Sequence, residues 1–352
     1  MEYHKTSTGV RKAATLKDVA RESGYSINTV SLALRDSNRI SQESKEKIRQ
    51  AAERLGYVKN NIASSLRTGK SHIIAIITHD IQNPYFTDLV SQIDQLLAAK
   101  GYDLFFLYIN NHENALKVVQ FVHFLPAEAI LYFPLCDDRN IVQFLQSSGT
   151  PFLLLAKVND VTAPLVCFDD YKTGELAADY LFSHGHRSFL YTSGPVEISA
   201  QADRQAGFLD GLKKHGVPAT SVRLITSDQF QEALHKNDIV SLVSPINYTA
   251  VFSFNDQAAY YLLYAYRKLG IRVPEDISII GCDHVCRYDT SRFPLSSIAG
   301  QQDDKHARVI VQQIMKQIRK PDMKQSVLLP VKIFEEGTVS DKIKKISIQY
   351  KK

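Results

Sequence analysis

The chain has 352 residues, 44% hydrophobic and 22% charged, which suits two or three folded domains and excludes disordered and fibrous classes. No apolar run approaches the ~18 residues of a membrane span, and the first residues lack the apolar core of a secretory signal, so a cytoplasmic protein is expected. Four cysteines in so long a chain do not make a disulfide framework. The net charge of +5 is unevenly spread: residues 1–70 carry 14 Lys/Arg against 7 Asp/Glu, and the remainder 28 against 30. A basic head on a near-neutral body is the electrostatic footprint of a nucleic-acid-binding module joined to a larger domain.

The head reads as three short helices. Thr15-Leu16-Lys17-Asp18 is a capping box, and Leu16, Val19 and Ala20 give the first helix one apolar face that Gly24 ends. Ser26 caps a second helix over 27–34, with Val30, Ala33 and Leu34 inward; the two form a helix-turn-helix. Ser41 caps a third over 42–55, with Ile48, Ala51, Ala52 and Leu55 inward, and Gly56 stops it. The outward residues of the second helix are short and free of acidic groups that would repel phosphate. Asn28 can pair with adenine, Ile27 can touch a thymine methyl, and Ser26, Thr29 and Ser31 can bond phosphates.

The segments Thr15-Leu16-Lys17-Asp18-Val19-Ala20, Gly24 to Ser31, Leu55-Gly56-Tyr57, Asn60, Ala63 and Leu66-Arg67 together resemble the head of the lactose/galactose repressor family. The resemblance implies that Ile27 and Asn28 read bases in the major groove. It also implies that residues 59–70 form a hinge that folds on operator DNA, where Leu66 wedges between base pairs and Ala63 allows a partner helix to approach. Asn60 can cap that hinge helix. The DNA-contacting set expected is thus Thr15, Ser26, Ile27, Asn28, Thr29, Ser31, Asn60, Ala63 and Leu66.

Beyond residue 72, short apolar stretches at 73–78, 103–109, 129–133, 152–155, 188–192, 250–254 and 277–282 alternate with amphipathic ones at 86–100, 114–124, 171–184, 204–215, 256–269 and 303–320. That alternation predicts an α/β body built on parallel sheets, two of them. Ligands of such folds sit beyond the carboxyl ends of strands. Polar residues stand there: Asp80 and Asn83, Asp169 and Asp170, Asn255 and Asp256, and Asp283, with Arg204 opening a later segment. Tyr85, Phe86 or Phe230 could stack on a ring, and Asp256 is expected to cap a helix.

Asn83-Pro84-Tyr85-Phe86, Gly185-His186-Arg187, Asp203 to Phe208, Phe254-Asn255-Asp256 and Gly270 to Asp283 extend the resemblance to the same family's two-lobed, periplasmic-binding-protein-like body. It places Arg204, Asn255 and Asp283 on the ligand and turns Tyr85 and Phe86 toward the cleft. The ligand set expected is Tyr85, Phe86, Asp170, Arg204, Phe230, Asn255 and Asp283. The chain departs from the family pattern at Leu32, where many members have Arg, at Lys59 (usually Pro), and beside the pocket at Cys282, His284 and Gly300.

Cys282-Asp283-His284-Val285-Cys286 lacks the second ligand pair of a usual zinc site, so no metal is expected, and no cofactor either. Dinucleotide, Walker and nucleophile-elbow motifs are missing, so an enzyme is not expected. The organisation read from the chain is an arm (1–14), a helix-turn-helix head (15–58), a hinge (59–70), a ligand-binding and dimerisation body (71–340) and a basic tail (341–352). The function expected is a transcriptional regulator, a repressor, that binds double-stranded operator DNA as a homodimer without membrane association. Its effector would be a sugar, sugar phosphate or nucleobase-like molecule. The alternative is a solute-binding receptor with no direct role on DNA.

Overall fold

The computed structural model describes residues 14–57, 70–109, 111–134, 138–195, 198–287, 293–300, 305–321 and 325–342. The chain divides into two compact units, Met1–Ser71 and His72–Lys352. The arm, most of the expected hinge with Asn60, Ala63 and Leu66, and all but the first two residues of the tail lie outside the described residues.

In the first unit, α1 (Leu16–Ser23), α2 (Ile27–Ala33) and α3 (Gln42–Arg54) pack around Val19, Val30, Ala33, Ile48 and Ala51. Thr15 and Asp18 close the capping box reciprocally, and Gly24 ends α1 in the left-handed conformation (φ 75°). Ser26 and Ser41 cap α2 and α3 as expected. Leu55 is a correction: it caps α3 from outside the core and stays 36% exposed. Lys45 is buried, its ammonium 2.9 Å from Asp36, so one of the head's cations fixes the α2–α3 turn instead of facing outward.

The second unit holds two six-stranded sheets. The first runs β11-β5-β4-β3-β1-β2 and is parallel throughout. Its strands are β1 (Ile73–Thr78), β2 (Asp103–Tyr108), β3 (Ala129–Tyr132), β4 (Phe152–Leu154), β5 (Leu165–Phe168) and β11 (Ser326–Leu329). The second runs β12-β10-β9-β8-β6-β7, parallel except for the β10–β12 pair. It comprises β6 (Phe189–Thr192), β7 (Val222–Ile225), β8 (Ala250–Ser253), β9 (Ser278–Cys282), β10 (Ser297–Gly300) and β12 (Val331–Phe334).

Helices cover both faces of each sheet. The first lobe carries α4 (Pro84–Ala98), α5 (His112–Phe124), α6 (Arg139–Ser147) and α12 (Lys305–Arg319). The second carries α7 (Asp170–Ser183), α8 (Ser199–Lys214), α9 (Ser227–His235), α10 (Ile239–Val243) and α11 (Asp256–Lys268). The chain passes between the sheets after β5, between β10 and α12, and at Pro330, so each lobe is completed by C-terminal segments.

The expected strands and helices are present, with ends displaced by a few residues. The largest shift is at α8, which begins at Ser199 instead of Arg204. The strand β2 differs in environment: Phe105, Phe106 and Tyr108 are exposed because β2 is an edge strand.

Two glycines set the packing of α7 on α8. A Cβ on Gly174 would lie 2.1 Å from the Arg204 carbonyl oxygen, and one on Gly207 would lie 2.0 Å from that of Tyr171. Backbone cannot retreat from such a contact without separating the helices. Gly207→Ala should therefore destabilise the body by about 3 kcal/mol, read as a lowered urea midpoint; an unchanged midpoint would show that the two helices can slide apart freely.

Candidate ligand cleft and DNA-reading helix

A cavity of about 390 Å³ lies between the two lobes of the body. It is built where the sequence pointed, at the carboxyl ends of strands in both sheets. From the first lobe, Asn83 caps α4 by accepting from the Tyr85 amide, and Pro84 takes the first helical position. The amide nitrogen of Asn83 donates across the cleft to Asp283 Oδ2 at 3.0 Å. A second bridge joins Lys157 to Asp203 at 2.9 Å.

Arg204 lies at the cleft's second-lobe wall. Its Nε donates to Asp170 Oδ1 at 2.8 Å and its Nη1 to the carbonyl of Phe254 at 2.6 Å, while the guanidinium lies over the Phe254 ring. Asp170 opens α7, so the α7–α8 glycine contact is what brings acid and base together.

Asp283 follows β9 with φ at 98° and His284 with φ at 53°, two successive non-glycine residues in the left-handed region. Asp256 holds that loop: fully buried, it accepts from the Val285 amide and from the Ser297 hydroxyl, each at 2.7 Å. The expected capping role of Asp256 is thus a correction, since Asn255 is the cap, accepting from the Ala258 amide at 2.9 Å. A cap must precede the helix, and Asp256 is already its first residue.

All seven expected ligand residues line the cavity. Tyr85 and Phe86 pack edge to face, and Tyr85 shares a hydrogen bond with His306 Nδ1 at 3.2 Å. Phe230 is the least available of the set. It is buried in the second-lobe core against Tyr261 and shows only part of its ring. The sequence reading left out His79, Phe168, Tyr261 and His306 as lining residues, and Asn83 as a member of the set. Gly300 has a steric explanation: a Cβ there would lie 2.6 Å from the Phe168 ring, which packs on His306.

Among the described residues lining the cavity, Asp80, Asp170 and Asp283 face Arg204 as the sole Arg or Lys. Burial pushes the Asp283 carboxyl up to about 6, against the lowering influence of Arg204 and of the Asn83 hydrogen bond. The folded chain therefore holds this proton more tightly than the unfolded one. That contribution favours folding at low pH and is lost as pH rises from 3.8 through about 6. Wild type should gain stability relative to Asp283→Asn between about pH 7 and about pH 5 in urea unfolding; a difference independent of pH would contradict the burial assigned to this carboxyl.

In the head, the Ser26 hydroxyl accepts from the Thr29 amide at 3.1 Å and pairs with the Thr29 hydroxyl at 2.8 Å. Thr15 is similarly engaged in its capping box. Ile27 is 47% exposed and Asn28 is exposed beside it, so these two are presented outward at the start of α2. Ser31 is half-buried.

A helical head with an outward-facing second helix, and a two-lobed α/β body around a polar cleft, define a ligand-binding regulator class. Residues 70–336 match the periplasmic binding proteins and sugar binding domain of the LacI family, and residues 15–60 match the bacterial regulatory proteins of the lacI family. The chain belongs to the LacI family of DNA-binding transcriptional regulators.

It is 28% identical over 296 residues to the regulator GalS of Salmonella typhimurium, covering 81% of this chain and 86% of that one. To the regulator DegA of Bacillus subtilis it is 26% identical over 292 residues, covering 81% and 86%. The lac repressor dimer bound to operator and the anti-inducer ONPF superposes with a TM-score of 0.75 at 22% identity, covering 94% of this chain and 100% of that one, and so shares the fold. A LacI-type regulator from Alkaliphilus metalliredigens complexed with D-xylulofuranose superposes with a TM-score of 0.65 at 25% identity, covering 76% and 99%. Among the described residues no helix is long and apolar enough to cross a membrane.

Proposed function

We propose that the cleft takes an uncharged polyhydroxylated molecule of sugar size, and that its binding sets the affinity of a homodimer for operator DNA. The carrying observation is the cavity's charge balance: three carboxylates converge with one guanidinium already paired to Asp170. Carboxylates accept from hydroxyls, the Arg204 fork donates to ring or hydroxyl oxygens, and aromatic walls cover apolar ring faces. A phosphate would meet repulsion from Asp80, Asp170 and Asp283, and among the described lining residues the one Arg or Lys, Arg204, is already paired, so a free sugar suits the site better than a sugar phosphate. The sugar held by the Alkaliphilus neighbour supports this class.

The head reads DNA through Ile27 and Asn28, with Ser26, Thr29, Ser31 and Thr15 on the backbone, and a hinge over 59–70 adds Asn60, Ala63 and Leu66. Two protomers are required, because one short helix makes too few base contacts for specificity. The dimer surface is the exposed edge of the first lobe. Phe105, Phe106 and Tyr108 of β2 and Phe121 and Phe124 of α5 face solvent, Phe124 at 83%. An exposed apolar edge of this kind needs a cover. The role is binding and not catalysis, and a solute receptor would have no use for the head.

A thermal-shift screen tests the ligand class: free sugars should raise the melting temperature, since a ligand that binds only the folded chain stabilises it. Stabilisation by phosphorylated sugars alone would overturn the charge argument. Asn28→Ala should cost roughly 1–3 kcal/mol on the cognate operator and little on random DNA, measured by fluorescence anisotropy; equal losses on both would make Asn28 a phosphate contact. Phe121→Asp combined with Phe124→Asp should give monomers in sedimentation and at least roughly 100-fold weaker operator binding. A dimer that persists would place the interface elsewhere.

A further inference from the structure

The loop that carries Asp283 to the cleft also carries two metal-binding side chains away from it. His284 and Cys286 meet Glu336, which follows β12, and one nitrogen, sulfur and oxygen of the three lie within 4.8 Å of one another. We propose that His284, Cys286 and Glu336 hold a divalent transition-metal ion of the zinc type, with a fourth position open to water.

Three observations support a site over a chance meeting. The first is spacing. His284 Nε2 stands 3.2 Å from Glu336 Oε1, and the nitrogen–oxygen edge of a tetrahedral zinc site, from its usual bond lengths, is about 3.3 Å. The sulfur edges of such a site are about 3.6 Å, against the 4.8 Å within which all three ligand atoms lie. The second is rigidity. The His284 ring is stacked on Phe334 at 4.0 Å, which fixes its direction. The His284 amide donates to Ser297, the Val285 amide to Asp256, and the Glu336 amide to Ser296, so both ligand-bearing segments are tied to the start of β10 and to the buried acid that supports it. Ligands held this way need little reorganisation on binding. The third is chemistry. Imidazole and thiolate select zinc, cobalt or copper over magnesium or calcium.

The sequence alone argued against a metal because the Cys282–Cys286 segment lacks a second ligand pair. The third ligand instead comes just after β12, the last strand to return to the lobe, fifty residues beyond Cys286. Because His284 adjoins Asp283 in the same left-handed loop, an ion bound here would fix the backbone that presents Asp283 to the cleft.

The test is a cobalt(II) titration of the full, untagged chain after chelator treatment. One ion per chain should bind with visible absorbance typical of tetrahedral cobalt and a near-ultraviolet thiolate charge-transfer band, zinc should abolish both, and excess magnesium should not. Cys286→Ser should lose the charge-transfer band. Glu336→Gln, at a surface position where folding is not at risk, should weaken cobalt roughly tenfold or more. Circular dichroism of the metal-free variants confirms that they are folded. Absence of saturable absorbance would overturn the proposal, as would a charge-transfer band that survives in Cys286→Ser or an affinity unchanged in Glu336→Gln.

Discussion

The guanidinium of Arg204 is the fixed point of the body. It is held by the partly buried Asp170 carboxylate on one helix and a backbone carbonyl at the end of a strand. A buried charge pair stabilises little in net terms, because each ion gives up its hydration, but losing one partner strands the other. Arg204 is therefore costly to move and well placed to stay oriented in an empty cleft. The small residues Gly174 and Gly207 exist at the α7–α8 contact to make that pairing possible, and the cleft's remaining donors and acceptors are arranged around it.

Near the cavity the Asn83–Asp283 hydrogen bond, the Lys157–Asp203 ion pair and the Ser199 hydroxyl bonded to the Lys157 carbonyl span the gap between the lobes, and the first of these uses a carboxyl that burial makes easier to protonate. A hydroxylated ligand would compete for Asp283 and replace a protein–protein bond with a protein–ligand one. Regulation then reduces to a difference of contacts: the effector shifts the chain toward whichever lobe arrangement offers it more bonds, and by no more than that difference.

The sequence revealed most where the physics is local. Caps, glycine stops and helical periodicity placed the head's three helices within a residue or two, because those signals act over a single turn. The two largely parallel sheets and the strand-end position of Asp170, Asn255 and Asp283 also followed from the α/β alternation. What stayed hidden depends on long-range assembly. His306 reaches the cleft from a helix more than 200 residues beyond Tyr85, and Glu336 meets His284 only because β12 returns to the second sheet. The exposure of Phe105 and Phe106 was not legible either, because hydrophobicity alone cannot distinguish a buried strand from the edge position that β2 holds. Asn83 stood among the strand-end polar residues but outside the expected ligand set, although Asn before Pro is a capping signal that leaves its amide protons free for a further role.

The central claim is that one molecule, held by Arg204 and Asp283 between the lobes, controls operator affinity. Its most direct test is calorimetry of a stabilising sugar on wild type and Asp283→Ala, paired with operator titrations of both proteins with and without the sugar. The account predicts at least roughly tenfold weaker sugar binding in the variant, nearly unchanged operator affinity without sugar, and a response to sugar that shifts to correspondingly higher concentrations. Undiminished sugar binding by Asp283→Ala, or an operator response unmoved by its loss, would contradict it.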